Sequence, residues 1–245
     1  MIPLRDANPT RRRPVVTIGL IALCVAAFAY ELSIQASESD AGLDHLFRVY
    51  GLVPGALTGG SGGNQGAGSG AWLSILTSMF LHADPLHIGF NMLYLWIFGN
   101  NIEDRLGHVG FLAFYLGGGI VAAATQVLVA PSSTVPVIGA SGAIAAVLGA
   151  YLVLYPRARV LSLVYFGLFF QLIRVPAIVL LGFWFAVQVF SALVASGSSD
   201  SAGGVALFAH IGGFLVGIAV GLLVRGGSTG GGQRPMRSTD RVGVG

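Results

Sequence analysis

The chain has 245 residues, of which 54% are hydrophobic and only 9% are charged, whereas soluble domains carry about 25% charged residues. This composition excludes an ordinary soluble enzyme and indicates a protein that crosses the membrane several times. The thirteen basic side chains behind the net charge of +3 are all arginines beside apolar segments, so they indicate membrane topology and not a nucleic-acid-binding surface.

Six apolar segments are each long enough to cross a bilayer, since a membrane-spanning helix needs roughly 17–25 residues. In chain order they are 15–32, 72–102, 109–130, 135–155, 175–195 and 204–224. The second contains Asp84-Pro85, which we expect to separate a lead-in from the span itself. Residues 160–173 form a further apolar piece that is too short to span and suits an interfacial or re-entrant segment.

The first segment allows two interpretations. Three arginines ahead of a short apolar core, with Ala27-Phe28-Ala29 behind it, also resemble a cleaved signal peptide. We expect a retained span, because the apolar stretch continues past these small residues. Cys24 lies in the same stretch and, as the single cysteine, forms no intrachain disulfide.

Arginine positions predict the orientation. With six spans and residues 1–14 as a cytoplasmic tail, twelve arginines face the cytoplasm and only Arg48 lies outside, which obeys the positive-inside rule. The twelve are Arg5, Arg11, Arg12, Arg13, Arg105, Arg157, Arg159, Arg174, Arg225, Arg234, Arg237 and Arg241. We therefore expect a plasma-membrane protein with both termini in the cytoplasm. If residues 160–173 spanned instead, the four C-terminal arginines would move outside, so the pattern favours six spans.

Two stretches have the composition of segments that do not pack into a folded domain. Residues 58–71 are rich in glycine and predict an external loop of low complexity. Residues 226–245 predict a disordered cytoplasmic tail. The membrane domain then covers residues 15–225.

Polar side chains are rare within the predicted spans, and ionisable groups there indicate function by default. The second span carries His82, His87 and Asn91, the fourth carries Ser141 and the sixth carries His210. Ser141 and His210 each lie about six residues, or roughly 9 Å, from the external end of their spans at 1.5 Å per residue. His87 and Asn91 share one helix face. The sequence therefore predicts a polar site at one depth that opens outward.

Ser141 lies between Gly139 and Gly142, and two explanations fit this pattern. Small residues allow helices to pack closely, and they also leave room around a nucleophile. A serine becomes nucleophilic beside a base, and His210 at the same depth is the available base. None of the ten acidic residues lies in the fourth or sixth span, so elimination predicts a serine–histidine dyad.

Four short motifs resemble those of the rhomboid family of intramembrane serine proteases, over roughly residues 72–224. They are His82 with His87 and Asn91, Glu103 and Arg105 ahead of Gly107, Gly139-Ala140-Ser141-Gly142, and Ala209-His210 followed by Gly213 and Gly217. The resemblance implies an all-α membrane protein with a six-transmembrane-helix rhomboid-like bundle over residues 15–225. It implies hydrolysis of peptide bonds in or near the transmembrane segment of single-span membrane proteins within the lipid bilayer, without metal, cofactor or nucleic acid.

The resemblance also implies roles for these residues. Ser141 is the nucleophile and His210 the base, while His87, Asn91 and Gly139 bind the oxyanion or position the substrate. The supporting residues are His82, Gly142, Gly213, Gly217, Glu103 and Arg105. Two features depart from the family. Ala145 stands where many relatives have a tyrosine that stacks on the histidine, and the loop 58–71 lacks the amphipathic arginine motif of some relatives.

Three alternatives remain at this point. A catalytically inactive rhomboid-like binder of membrane proteins is one, although such relatives typically lack the serine or the histidine. A metalloprotease using His82, His87 and His210 is another, but no HExxH motif or nearby carboxylate accompanies them. A transporter also has polar groups in broken helices, but it would place charges deeper in the bilayer than this sequence does.

Overall fold

The computed structural model describes residues 1–59, 71–167, 169–196 and 207–227. Its helices are α1 (Val15–Tyr50), α2 (Pro54–Thr58), α3 (Ser74–Thr77), α4 (Pro85–Tyr94), α5 (Asn100–Val129), α6 (Ser141–Leu154), α7 (Ala177–Ser196) and α8 (Leu207–Gly227). Its strands are β1 (Ile2–Asp6), β2 (Arg159–Phe166) and β3 (Phe169–Pro176). Short 3-10 turns flank α3, and a π-helical turn, Leu95–Gly99, joins α4 to α5. Most of the predicted loop 58–71 and the tail beyond residue 227 lie outside the described residues.

Four helical segments within the described ranges are long and apolar enough to cross a membrane: Val15–Glu38, Pro85–Val129, Ala177–Val194 and Leu207–Gly226. The second of these covers 45 residues, about 68 Å of helix at 1.5 Å per residue, against a hydrocarbon core of about 30 Å. Gly107 interrupts it with φ 74°, a backbone conformation that glycine adopts readily. The predicted multi-pass helical architecture is confirmed, while the number of six spans stays a prediction.

The apolar piece 160–173 is a β-hairpin, so the all-α prediction is wrong for this part of the chain. Strands β2 and β3 pair antiparallel, and β1 adds to the free edge of β2. The side chains of Val160, Ser162 and Val164 are buried on one face of β2, which is the period-two alternation of a strand. The alternation is hard to see in the sequence because residues on the other face are also apolar.

The N-terminal residues are attached to the bundle through strand β1. The Asp6 carboxylate accepts hydrogen bonds from the Asn101 side-chain amide and the Tyr151 hydroxyl, each at 2.8 Å. Burial raises the pKa of Asp6, and these two hydrogen bonds oppose that effect. Tyr151 lies near the end of α6, so the sheet covers the end of that helix opposite to Ser141.

Glu103 closes the first turn of α1 at the same end of the bundle. Its buried carboxylate accepts hydrogen bonds from the backbone N–H groups of Val16 and Thr17, both at 2.8 Å, and from the Thr17 hydroxyl at 2.6 Å. These are N–H groups that a helix leaves without an internal partner, and a negative charge there also favours the helix dipole. His108 completes the arrangement with Nδ1 2.6 Å from the carboxylate, while the neighbouring Arg105 is exposed.

Helices α6 and α8 touch backbone to backbone. A Cβ atom on Gly213 would overlap the carbonyl oxygen of Gly142, and one on Gly217 would overlap that of Ala146. Gly149 of α6 has the same relation to the carbonyl oxygen of Phe214. The small residues along both helices therefore permit an approach that any side chain would prevent.

Candidate active site

Ser141 is the first residue of α6 and follows an extended loop. The loop is held by two hydrogen bonds between Leu52 and Val137, at 2.8 and 2.9 Å, and by Gly139 N–H donating to the Ser78 carbonyl at 2.8 Å. Gly139 has φ 120°, a conformation that side chains disfavour. The predicted fourth span, 135–155, is therefore helical only from Ser141 onward. The six residues counted as helix ahead of Ser141 are loop, because Pro136 and Gly139 prevent a regular helix there.

The Ser141 hydroxyl meets the His210 imidazole. Nε2 of His210 lies 2.7 Å from Ser141 Oγ, which is hydrogen-bonding distance. His210 is in the first turn of α8 as described and is 8% exposed. The backbone contact between α6 and α8 brings these two side chains together, although they are 69 residues apart.

The second imidazole nitrogen of His210 faces an amide that sequence reasoning missed. Nδ1 lies 2.9 Å from Oε1 of Gln188 on α7. The Trp184 ring, one turn earlier on α7, has its centroid 6.0 Å from that of His210. The available signal was that Gln188 carries the one side-chain amide in the predicted span 175–195. Ala145 on α6 has no ring, and the aromatic neighbour of His210 is Trp184 on α7.

Helix α4 begins where Asp84-Pro85 predicts. The Asp84 carboxylate accepts hydrogen bonds from the backbone N–H groups of Leu86 at 2.8 Å and His87 at 2.9 Å. This is an N-cap, and Pro85 occupies the first helical position, where its missing N–H costs nothing. The cap fixes where α4 starts and so places His87 and Asn91, one turn apart, on a defined face.

His87 borders the space around Ser141, and Asn91 lies one turn further along α4. A Cβ atom on Gly139 would lie 2.7 Å from Nε2 of His87 and 3.6 Å from Ser141 Oγ, so glycine leaves open the space between these groups. Asn91 is 7% exposed, and its Nδ2 has no hydrogen-bond partner among the residues that the structure describes. A buried amide donor without a partner costs free energy, and such groups occur at sites that bind a ligand oxygen.

His82 lies behind His87. Its ring is buried, with Nδ1 3.1 Å from the Phe80 carbonyl oxygen, and its ring centroid is 5.2 Å from that of His87 in an edge-to-face arrangement. Its backbone N–H donates to the buried carboxylate of Glu31 on α1, at 3.2 Å. His82 thus packs against the side chain that faces Ser141. Within the described ranges, no three His, Cys, Asp or Glu side chains form a group that could hold a metal ion.

A small cavity opens beside Ser141. Residues without large side chains form much of its wall: Gly119, Ala122, Ala123, Gly142, Ala143 and Ala209. Met79 and Leu52 close it on other sides. The hydroxyl therefore borders an open, mostly apolar space.

Comparison with known proteins assigns the family. Residues 69–227 match the Rhomboid domain family. The chain is 32% identical over 158 residues to the mitochondrial rhomboid protein 1 of Saccharomyces cerevisiae, covering 61% of this chain and 41% of that protein. It is 36% identical over 153 residues to the rhomboid protease GluP of Bacillus subtilis, an alignment that covers 62% of this chain and 27% of GluP. It is 37% identical over 92 residues to the putative rhomboid protease YdcA of Bacillus subtilis, an alignment that covers 38% of this chain and 46% of YdcA.

These alignments span less than half the length of each relative. The family match itself is broader, since it covers well over half of this chain and includes the helices that carry Asn91, Ser141 and His210. This multi-pass membrane protein therefore belongs to the rhomboid family.

Proposed function

We propose that the protein is an intramembrane serine endopeptidase that cleaves single-span membrane proteins in or near their transmembrane segment. The observation that supports this most directly is the 2.7 Å contact between His210 Nε2 and Ser141 Oγ. A serine hydroxyl is a weak nucleophile until a neighbouring base accepts its proton. The family match and the protease names of GluP and YdcA point the same way.

In the proposed reaction, Ser141 Oγ attacks the carbonyl carbon of the scissile peptide bond while His210 Nε2 accepts the hydroxyl proton. The tetrahedral intermediate collapses when His210 returns this proton to the leaving amine, which leaves an acyl group on Ser141. His210 then accepts a proton from water as the water oxygen attacks the acyl carbon. This second tetrahedral intermediate collapses when the bond to Oγ breaks, the carboxylic acid product leaves, and His210 returns the proton to Ser141 Oγ. One imidazole serves both half-reactions.

We assign oxyanion stabilisation to His87, Asn91 and the backbone N–H of Ser141. The Asn91 Nδ2 donor has no partner within the described structure, so a negatively charged carbonyl oxygen would satisfy it. The Ser141 N–H lies at the beginning of α6, where helix N–H groups lack internal acceptors and favour an anion. Gly139 supports this role because any Cβ there would lie against the His87 ring.

Labelling with a fluorophosphonate tests the proposal, because an activated serine oxygen displaces fluoride from the probe and a resting serine does not. We expect the purified wild-type protein to be labelled at Ser141 and the Ser141→Ala variant not to be labelled. The matched control is Ser162→Ala, which removes a buried hydroxyl of β2 and should leave labelling unchanged. A folded wild-type protein that stays unlabelled would contradict the proposal and favour the inactive membrane-protein binder.

We also propose a plasma-membrane orientation in which residues 1–14 and 226–245 face the cytoplasm and residues 58–71 face outward. The pairing of β1 with β2 supports it, because this pairing puts Arg5, Arg159 and Arg174 at the same end of the bundle as the start of α1. Arginine-rich ends face the cytoplasm. A reporter fused after Gly226 should report a cytoplasmic location and one inserted within 59–70 an external one. An external C-terminal reporter would contradict this orientation.

A further inference from the structure

Helix α7 presents two side chains to the catalytic end of α8. Trp184 and Gln188 are four residues apart and so lie on one face of α7. The Trp184 ring contacts both His210 and Phe214, at centroid distances of 6.0 and 5.9 Å, and Phe185 stacks on Phe214 at 4.4 Å. These ring contacts place the Gln188 amide, one turn further along, beside the imidazole of His210.

The direction of the Gln188 hydrogen bond decides which nitrogen of His210 carries a proton. A neutral imidazole has one N–H donor and one acceptor nitrogen. Oε1 of Gln188 only accepts, so its 2.9 Å contact places the proton on Nδ1. Nε2 is then the acceptor that the Ser141 hydroxyl requires at 2.7 Å. The opposite tautomer would direct an N–H at Ser141 and leave the imidazole unable to accept the hydroxyl proton.

We propose that Gln188 is a positioning residue that holds His210 in the tautomer and ring orientation required for catalysis. This inference rests on the proposed protease function, in which His210 is the base. Gln188 has the position of the carboxylate in a serine–histidine–aspartate triad, but its amide is neutral. A neutral acceptor suits this location, since an ionised carboxylate inside a membrane is costly.

Two substitutions separate the hydrogen bond from the shape of the side chain. Gln188→Met keeps the length of the side chain and removes the acceptor. We expect it to lower kcat for a single-span substrate at least tenfold, with KM changed less than about twofold, because proton transfer and not substrate binding is impaired. Gln188→Glu keeps an acceptor and, at a pH high enough to ionise the carboxyl, cannot donate. It should retain activity within about threefold of wild type, and the acidic limb of its rate–pH profile should move to higher pH, since a carboxylate stabilises the imidazolium.

The matched control is Gln126→Met on α5. Gln126 also contacts α8 through its side-chain amide, and it is buried whereas Gln188 is half-buried. Its Oε1 accepts from the backbone N–H of Ala209, at 3.3 Å, and not from the imidazole. This variant should keep the wild-type rate–pH profile even where it lowers the melting temperature. The three variants are compared in one lipid composition by cleavage kinetics and by the rate of fluorophosphonate labelling.

The outcomes distinguish this inference from the proposed function. A wild-type protein without labelling overturns the protease proposal and this inference with it. A wild-type protein that is labelled, together with a Gln188→Met variant that turns over at the wild-type rate, overturns the role of Gln188 alone. The same holds if folded Gln188→Glu stays as slow as Gln188→Met up to the highest pH of the profile, because the wild-type amide would then be donating to Nδ1. It also holds if Gln126→Met changes kcat and the pH profile to the same degree as Gln188→Met.

Discussion

Ser141→Ala and His210→Ala should each abolish cleavage of a single-span substrate reconstituted in liposomes. In serine proteases the nucleophile and the base act as one unit, and losing either lowers kcat by roughly 10⁶-fold. The fold should survive, because an interhelical hydrogen bond in a membrane contributes only about 0.6 kcal/mol on average. The measurement is product formation on a gel over hours, beside the melting temperature of each variant.

The double variant and a distant histidine serve as controls. Ser141→Ala combined with His210→Ala should be no slower than either single variant, since the unit is already lost. His45→Ala changes an exposed histidine of α1 and should cleave at the wild-type rate. Substantial turnover by either folded single variant would refute the dyad and leave Ser141 as a helix-packing residue.

Asn91→Ala should lower kcat by about 10²–10³, the usual effect of removing one oxyanion donor, with a melting temperature near that of wild type. The physical reason is that its Nδ2 has no partner within the described structure, so removing this donor breaks no hydrogen bond of Nδ2 to a described residue. His87→Ala should also slow catalysis at least tenfold. The double variant should lose less than the product of the two effects, because both side chains serve one oxygen.

Asn101→Ala is the matched control for Asn91. Asn101 is also a buried asparagine, but its amide donates to Asp6 at 2.8 Å and its carbonyl oxygen accepts from Asn8 at 2.6 Å. Its removal should lower the melting temperature and leave kcat unchanged, which is the opposite of the result expected for Asn91→Ala. If Asn91→Ala melts much earlier and turns over normally when folded, Asn91 is a structural residue and the oxyanion assignment is wrong.

The contact between Ser141 and His210 was predictable because few polar side chains occur in the spans, and the small residues beside both predict close helices. Gln188 was not predictable as their partner. A single amide in an apolar helix has no local pattern that identifies which neighbour it faces. Only the packing of Trp184 and Phe185 against Phe214 fixes that direction.

The fold was predictable where the length and hydrophobicity of a segment decide it. It was less predictable where the spacing of apolar residues has to distinguish helix from strand. The start of α4 follows from Asp84-Pro85, since a cap and a proline act within one turn. The hairpin 160–173 was recognised as too short to span, but its strands were not, because apolar residues on both faces conceal a period of two. Residues 135–140 also looked like helix because they are apolar, although Pro136 and Gly139 keep them out of a regular helix.

The backbone contact between α6 and α8 has a mechanical consequence in bilayers of different thickness. Helices respond to a mismatch between their apolar length and the lipid by tilting. Because Gly213 and Gly217 leave no side chain between the two helices, α6 and α8 must tilt together, and the separation of the serine hydroxyl from the imidazole does not change. Helix α7 contacts α8 through the aromatic rings of Trp184, Phe185 and Phe214, so we expect lipid thickness to act on the amide of Gln188 before it acts on the pair of Ser141 and His210.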